Sequence, residues 1–206
     1  MPEHAPRELP GSGARRGALN KRKGIGRAGL ERGQEQRRGP GSVGIAWEVR
    51  ARPITDRAIR TAVRAALAHG DRAGIAVEVA LVSDRTLASI HGRFLGDPAP
   101  TDVISFDLGE EDGGPAGEIY VSVDRARAVA RERGDSIERE LALYLVHGAL
   151  HLCGFDDRSP RQRARMRAAE ALVLAGLGLP SSAPRRARGG TRGPIVNRKT
   201  KKTSLG

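Results

Sequence analysis

At 206 residues the chain can hold one domain of ordinary size with material to spare, and its formal charge of +12 is unevenly spread. Residues 1–44 sum to +6 and residues 180–206 to +8, whereas residues 45–179 sum to −2. The lone cysteine, Cys153, excludes an intramolecular disulfide, and the longest uncharged run, residues 141–155, falls short of the roughly 20 apolar residues that span a bilayer.

Residues 1–43 are rich in Gly, Arg, Pro and Gln and lack apolar periodicity, so a disordered basic tail is expected there, and another over 180–206. Such tails bind phosphate nonspecifically or act as solvating appendages, and composition does not choose between the two. The first thirty residues have no apolar core of a signal peptide, so a cytoplasmic chain without a membrane segment is expected. The folded domain is placed at 44–179. Its first strand candidate is GIAWEVR, residues 44–50. Thr55 to His69 then sets Ile59, Val63, Ala66 and Leu67 on one helical face after Pro53. IAVEVALV, residues 75–82, alternates and is β-branched, which predicts a strand against a core. Ser83 caps a helix running through about His91, with Leu87 and Ile90 on its buried side. DVISF (102–106) and EIYVSV (118–123) are two further strands, joined by the acidic, glycine-rich GEEDGGPAG. Three helices close the domain, at about 123–133, 136–152 and 159–176.

The second of these three carries the chemistry. Asp135 or Ser136 can cap it, Gly154 stands where a left-handed stop is expected, and its apolar residues cover nearly every side, as in a buried helix. Within the stretch HGALHLCGFDD, His147 and His151 are four apart and share a face, so both imidazoles can reach one ion. Gly154 can reverse the chain and bring Asp157 back over the last turn. Two imidazoles and a carboxylate leave a coordination position open, the arrangement of a catalytic zinc site, and the same donors also suit Fe(II). Gly148 costs about 1 kcal/mol of helix stability relative to alanine, so either close approach of a substrate or a neighbouring backbone, or tight helix packing, is expected at that position. Zinc metallopeptidases carry their glutamate base directly after the first histidine, and here that residue is Gly148, which ranks peptide hydrolysis last. Asp102 and Ser105 are read as turn or edge residues that could line a cleft, and Asp156 as a bracing or capping residue.

HGALHLCGFDD resembles the signature H-G-x-L-H-L-x-G-[YF]-D-H of the YbeY-type rRNA maturation factors, a bacterial family of single-strand-specific metallo-endoribonucleases. PTDVISF at 100–106 and GEIYVSV at 117–123 resemble further motifs of the family, and Met166 with Glu170 matches an M-x-x-x-E in its last helix. The resemblance covers roughly residues 45–178. It implies an α+β, zincin-like fold with a small mixed sheet of about four strands and about five helices. It also implies one zinc ion held by His147, His151 and, where the family has its third histidine, Asp157. Leu95 stands where many members carry an arginine suited to a phosphate, with Arg93 and Arg158 as the cations that could replace it in binding substrate. The implied activity is maturation of the 16S rRNA 3′ end and late ribosome quality control, with rRNA and the ribosome or ribosomal proteins as partners. A non-catalytic, metal-braced ribosome-assembly factor is the alternative of a different class. No general base and no oligomeric state are assigned.

Overall fold

Val77, Val79 and Leu81 point to one face of β2 (Val77–Val82), and both neighbouring strands supply apolar residues in the same register, which makes β2 an interior strand. The computed structural model describes residues 39–95, 101–109 and 114–179. β1 (Val43–Trp47) and β4 (Gly117–Ser122) run parallel to β2 on either side. β3 (Val103–Asp107) pairs antiparallel with β4, giving the order β1-β2-β4-β3. The helices are α1 (Asp56–His69), α2 (Asp84–Leu95), α3 (Val123–Arg133), α4 (Ile137–Leu152) and α5 (Pro160–Gly176). Among the described residues, four strands in a mixed sheet with five helices make the fold α+β. No helix among the described residues is long and apolar enough to cross a membrane.

The period-two alternation of the strands sorts the core into two layers. One face, with Val79, Ile119 and Val121, packs under α1 and α4, and α5 lies against those two helices to complete the main core. The opposite face carries Ala80, Ile104, Phe106 and Tyr120, covered by Leu87 and Ile90 of α2. α4 lies at the centre, touching α1, α3, α5, β3 and β4, and this position explains its apolar circumference.

Local signals account for the helix starts. Thr55, Ser83, Ser136 and Ser159 each accept a hydrogen bond from a backbone N–H of the first turn. Of the two caps expected for α4, Ser136 is the one used, while Asp135 pairs with Arg139 at 3.0 Å. α2 continues to Leu95, past the end expected near His91. Phe94 packs edge-on against Phe106, with ring centroids 5.9 Å apart, and this tertiary contact carries the helix through Gly92. The tails expected at 1–43 and 180–206 lie outside the described residues except for 39–43, where Val43 opens β1; part of the GEEDGGPAG loop also lies outside.

Glu118 is the polar anomaly of the α2 face. It is 6% exposed, and the Tyr120 hydroxyl donates to it at 3.0 Å. Burial raises its pKa, and the Tyr120 hydrogen bond offsets only part of that rise. A carboxyl with a raised folded-state pKa contributes most below its unfolded value, and the contribution is lost as pH rises through the folded pKa. Glu118→Gln is therefore expected to stabilise the protein at pH 7 to 8, with the advantage fading below about pH 4. Thermal melts of both proteins across that range check the sign.

Candidate metal centre

His147 and His151 stand on the last two turns of α4, with ring centroids 4.5 Å apart and planes at 85°. Gly154 ends the helix at φ 80°, in the left-handed region. Its N–H donates to the His151 carbonyl at 3.0 Å and that of Phe155 to the Leu150 carbonyl at 3.1 Å, the paired bonds of a Schellman turn. The chain then doubles back, and ligand atoms of His147, His151 and Asp157 all lie within 4.8 Å of one another. The returning loop is braced: Asp157 N–H donates to Asp156 Oδ1 at 2.8 Å, and Arg163 donates to the Asp157 carbonyl at 3.0 Å. Ser159 and Gln162 form a capping box that starts α5 immediately afterwards.

The outer nitrogens of the two rings decide what the inner ones can do. His151 Nδ1 lies 2.9 Å from the Phe155 carbonyl oxygen, which only accepts, so Nδ1 carries the hydrogen. His147 Nδ1 lies 2.6 Å from Glu170 Oε1 and donates to that carboxylate in the same way. In its neutral form each ring turns the lone pair of Nε2 inward, and the two Nε2 atoms are 2.9 Å apart. Two facing lone pairs with a carboxylate beside them call for a cation, and the orientation by a carboxylate and a backbone carbonyl is that of metal-ligating imidazoles. The donor set thus fits a divalent ion and could hold one.

The electrostatics fall unequally on the two rings. Burial lowers the pKa of His147, but the Glu170 hydrogen bond and charge, with Asp102 and Asp157, outweigh it and the net shift is upward. Burial and the neighbouring His147 push His151 down, against the Phe155 carbonyl and Asp157. The role of Glu170 depends on α5 packing against α4, 23 residues further along the chain. The sequence singled it out only as part of M-x-x-x-E. Glu170→Ala is expected to weaken metal binding by about 10- to 100-fold, read by competition with a chromogenic chelator.

Gly148 faces the sheet. A Cβ there would sit 2.8 Å from Ile119 Cγ2 and 2.9 Å from both Val103 Cγ2 and Ser105 Oγ. Ser105 also donates to the Gly148 carbonyl at 3.0 Å. Of the two reasons expected for the glycine, tight packing is the one realised. Cys153 packs against Gly70 at the end of α1, and burial raises its thiol pKa, as for a small apolar residue.

Asp102 accepts from the Val103 N–H at 3.0 Å and, with His147, Glu170, Arg125, Arg133 and Tyr144, lines an open cavity of about 350 Å3. Arg158 projects into solvent beside Asp157, 88% exposed, with Nε 3.5 Å from Asp156. Arg93 lies on the last turn of α2, its guanidinium 5.3 Å from the centre of the Phe94 ring. Phe94 packs on Phe106, so Arg93 sits across the sheet from α4. The side chain of Leu95 lies outside the described residues.

A family model described as Endoribonuclease YbeY matches residues 47–178. A Symbiobacterium thermophilum protein named Endoribonuclease YbeY is 38% identical over 137 residues, covering 62% of this chain and 85% of that one. One of the same name from Wolinella succinogenes is 42% identical over 106 residues, covering 52% of this chain and 74% of its own. The solution structure of a Thermotoga maritima protein shares 27% identity at a TM-score of 0.46, covering 66% of this chain and 91% of that one. With well over half of its length under the family model, the chain belongs to the Endoribonuclease YbeY family.

Proposed function

We propose that this chain is a zinc-dependent endoribonuclease that cuts single-stranded RNA, with the 3′ end of 16S rRNA and late ribosome quality control as its setting. The observation that carries the reading is the pair of Nε2 atoms facing each other at 2.9 Å, each ring held from behind at its Nδ1. His147, His151 and Asp157 would hold one ion, and Asp157 would lower its net charge relative to a third histidine. When bound, zinc supplies Lewis acidity, acidifying water for attack and offsetting charge on the phosphate. Glu170 and the Phe155 carbonyl hold the tautomers, and the Schellman turn keeps Asp157 within reach. Arg158 beside Asp157 suits a phosphate oxygen. The basic ends add sequence-independent affinity for RNA that falls steeply with salt.

Divergent peptidase chemistry is disfavoured on geometry as well as on motif, because position 148 has no room for a glutamate against Ile119 and Val103. The test is cleavage of a fluorescent RNA by the purified protein. Single-stranded substrate should be cut and fully duplex substrate spared, with activity lost to a chelator and restored by added zinc. Equal activity before and after metal removal would refute the proposal. The absence of cleavage, with folding lost alongside the metal, would favour the metal-braced assembly factor.

A further inference from the structure

The cavity beside the histidine pair is lined by His147 and Glu170 but by neither His151 nor Asp157, so it lies to one side of the ligand cluster, under α3. Its roof is a stripe of α3 with a four-residue repeat, Arg125, Val129 and Arg133, a spacing that puts all three over the same opening. The two arginines differ. Arg133 donates at 3.0 Å to Glu140, which is 1% exposed, and so neutralises a buried carboxylate. Arg125 is exposed, and its side chain has no hydrogen-bond or ion-pair partner among the described residues. With Glu140 already taken by Arg133, Asp102 and Glu170 supply the carboxylate acceptors of the interior, while Val129 and Leu143 supply apolar surface.

Such a lining repels a phosphate from the inside and admits a flat group that donates hydrogen bonds from its edge. A nucleobase with ring N–H or exocyclic amino groups has that chemistry. A volume of about 350 Å3 falls at the small end of ligand pockets, roughly 300–1,000 Å3, and suits one nucleotide. On the reading that the chain cuts single-stranded RNA, we propose that this cavity takes one unpaired nucleotide flanking the cleaved bond, its base against Val129 and Leu143 and its phosphate on Arg125. His147 lines both the cavity and the ligand cluster, which fixes the bound nucleotide next to the reacting phosphate. A base engaged in a pair cannot enter, so the cavity itself selects unpaired RNA.

The test uses the full chain and a short RNA of fixed sequence carrying one abasic residue, moved position by position along the strand. For the wild type, kcat/KM is expected to drop about ten-fold when the abasic residue is at one position flanking the cut, and to change little elsewhere. Val129→Trp, which fills the cavity, is expected to lose about as much on intact RNA and to become insensitive to base removal at that position. Arg125→Ala, an exposed change that leaves the core alone, is expected to raise KM several-fold with kcat held. A wild type that cuts RNA but responds equally to base removal everywhere would overturn the inference, as would a Val129→Trp protein that keeps the wild-type position dependence. Failure of the wild type to cut any RNA would instead strike the endoribonuclease reading, and the inference with it.

Discussion

His147→Ala is expected to release the metal and to reduce RNA cleavage by about a thousand-fold or more, since Lewis-acid stabilisation worth several kcal/mol disappears with the ion. The effect exceeds that of losing one ligand among several, because His147 links three parts of the site. Its Nε2 faces His151, its Nδ1 binds Glu170, and its ring lines the cavity under α3. Folding should survive the change: His147 is only partly buried, and the core around α4 rests on residues such as Leu141, Leu145 and Leu150. Circular dichroism, metal content and cleavage rate, measured on one preparation, separate loss of the ion from loss of the fold. Retention of both metal and cleavage in the variant would remove His147 from the site.

The second large effect falls on stability. Gly148→Ala gains about 1 kcal/mol of helix propensity, yet its methyl would meet Ile119, Val103 and Ser105 at 2.8 to 2.9 Å. All three neighbours are strand side chains, and Ile119 and Val103 pack in the core, so the overpacking cost of about 1–3 kcal/mol is expected to win and the net change to be destabilising. Gly148→Glu, which completes the metallopeptidase spacing, forces a larger and charged group into the same contact. A loss of about 3 kcal/mol or more is expected, with no peptidase activity gained. Urea denaturation of the two variants measures both. A Gly148→Glu protein as stable as the wild type would mean that α4 does not lie on β3 and β4 as described.

The secondary structure was largely legible because the local signals agree with one another. Ile59, Val63, Ala66 and Leu67 of α1 are all buried as their spacing predicts, and Gly154 occupies the positive φ expected of a helix stop. The end of α2 was less legible, since a glycine near a helix end reads as a stop and the Phe94–Phe106 contact that overrides it is tertiary. Sheet order was not legible at all: alternation says which side chains share a face, not which strands are neighbours. At the site, His147, His151 and Asp157 come from one helix turn and the bend after it, so local geometry sufficed to bring them together. Glu170 reaches His147 only through helix packing, and Arg125 and Arg133 look like part of a solvated face until α4 is laid beneath α3. Arg93 shows the converse. It is close in sequence to a family position and lies across the sheet from the helix that carries the histidines.

The claim on which the rest depends is that three side chains of α4 and its following turn share one cation. Elemental analysis after dialysis, on the wild type and on His151→Ala and Asp157→Ala, tests it most directly. One equivalent of a divalent metal in the wild type, lost in His151→Ala and depleted in Asp157→Ala, is the predicted result. A wild type that emerges metal-free after saturation with zinc, or an Asp157→Ala protein that still holds a full equivalent, would contradict it.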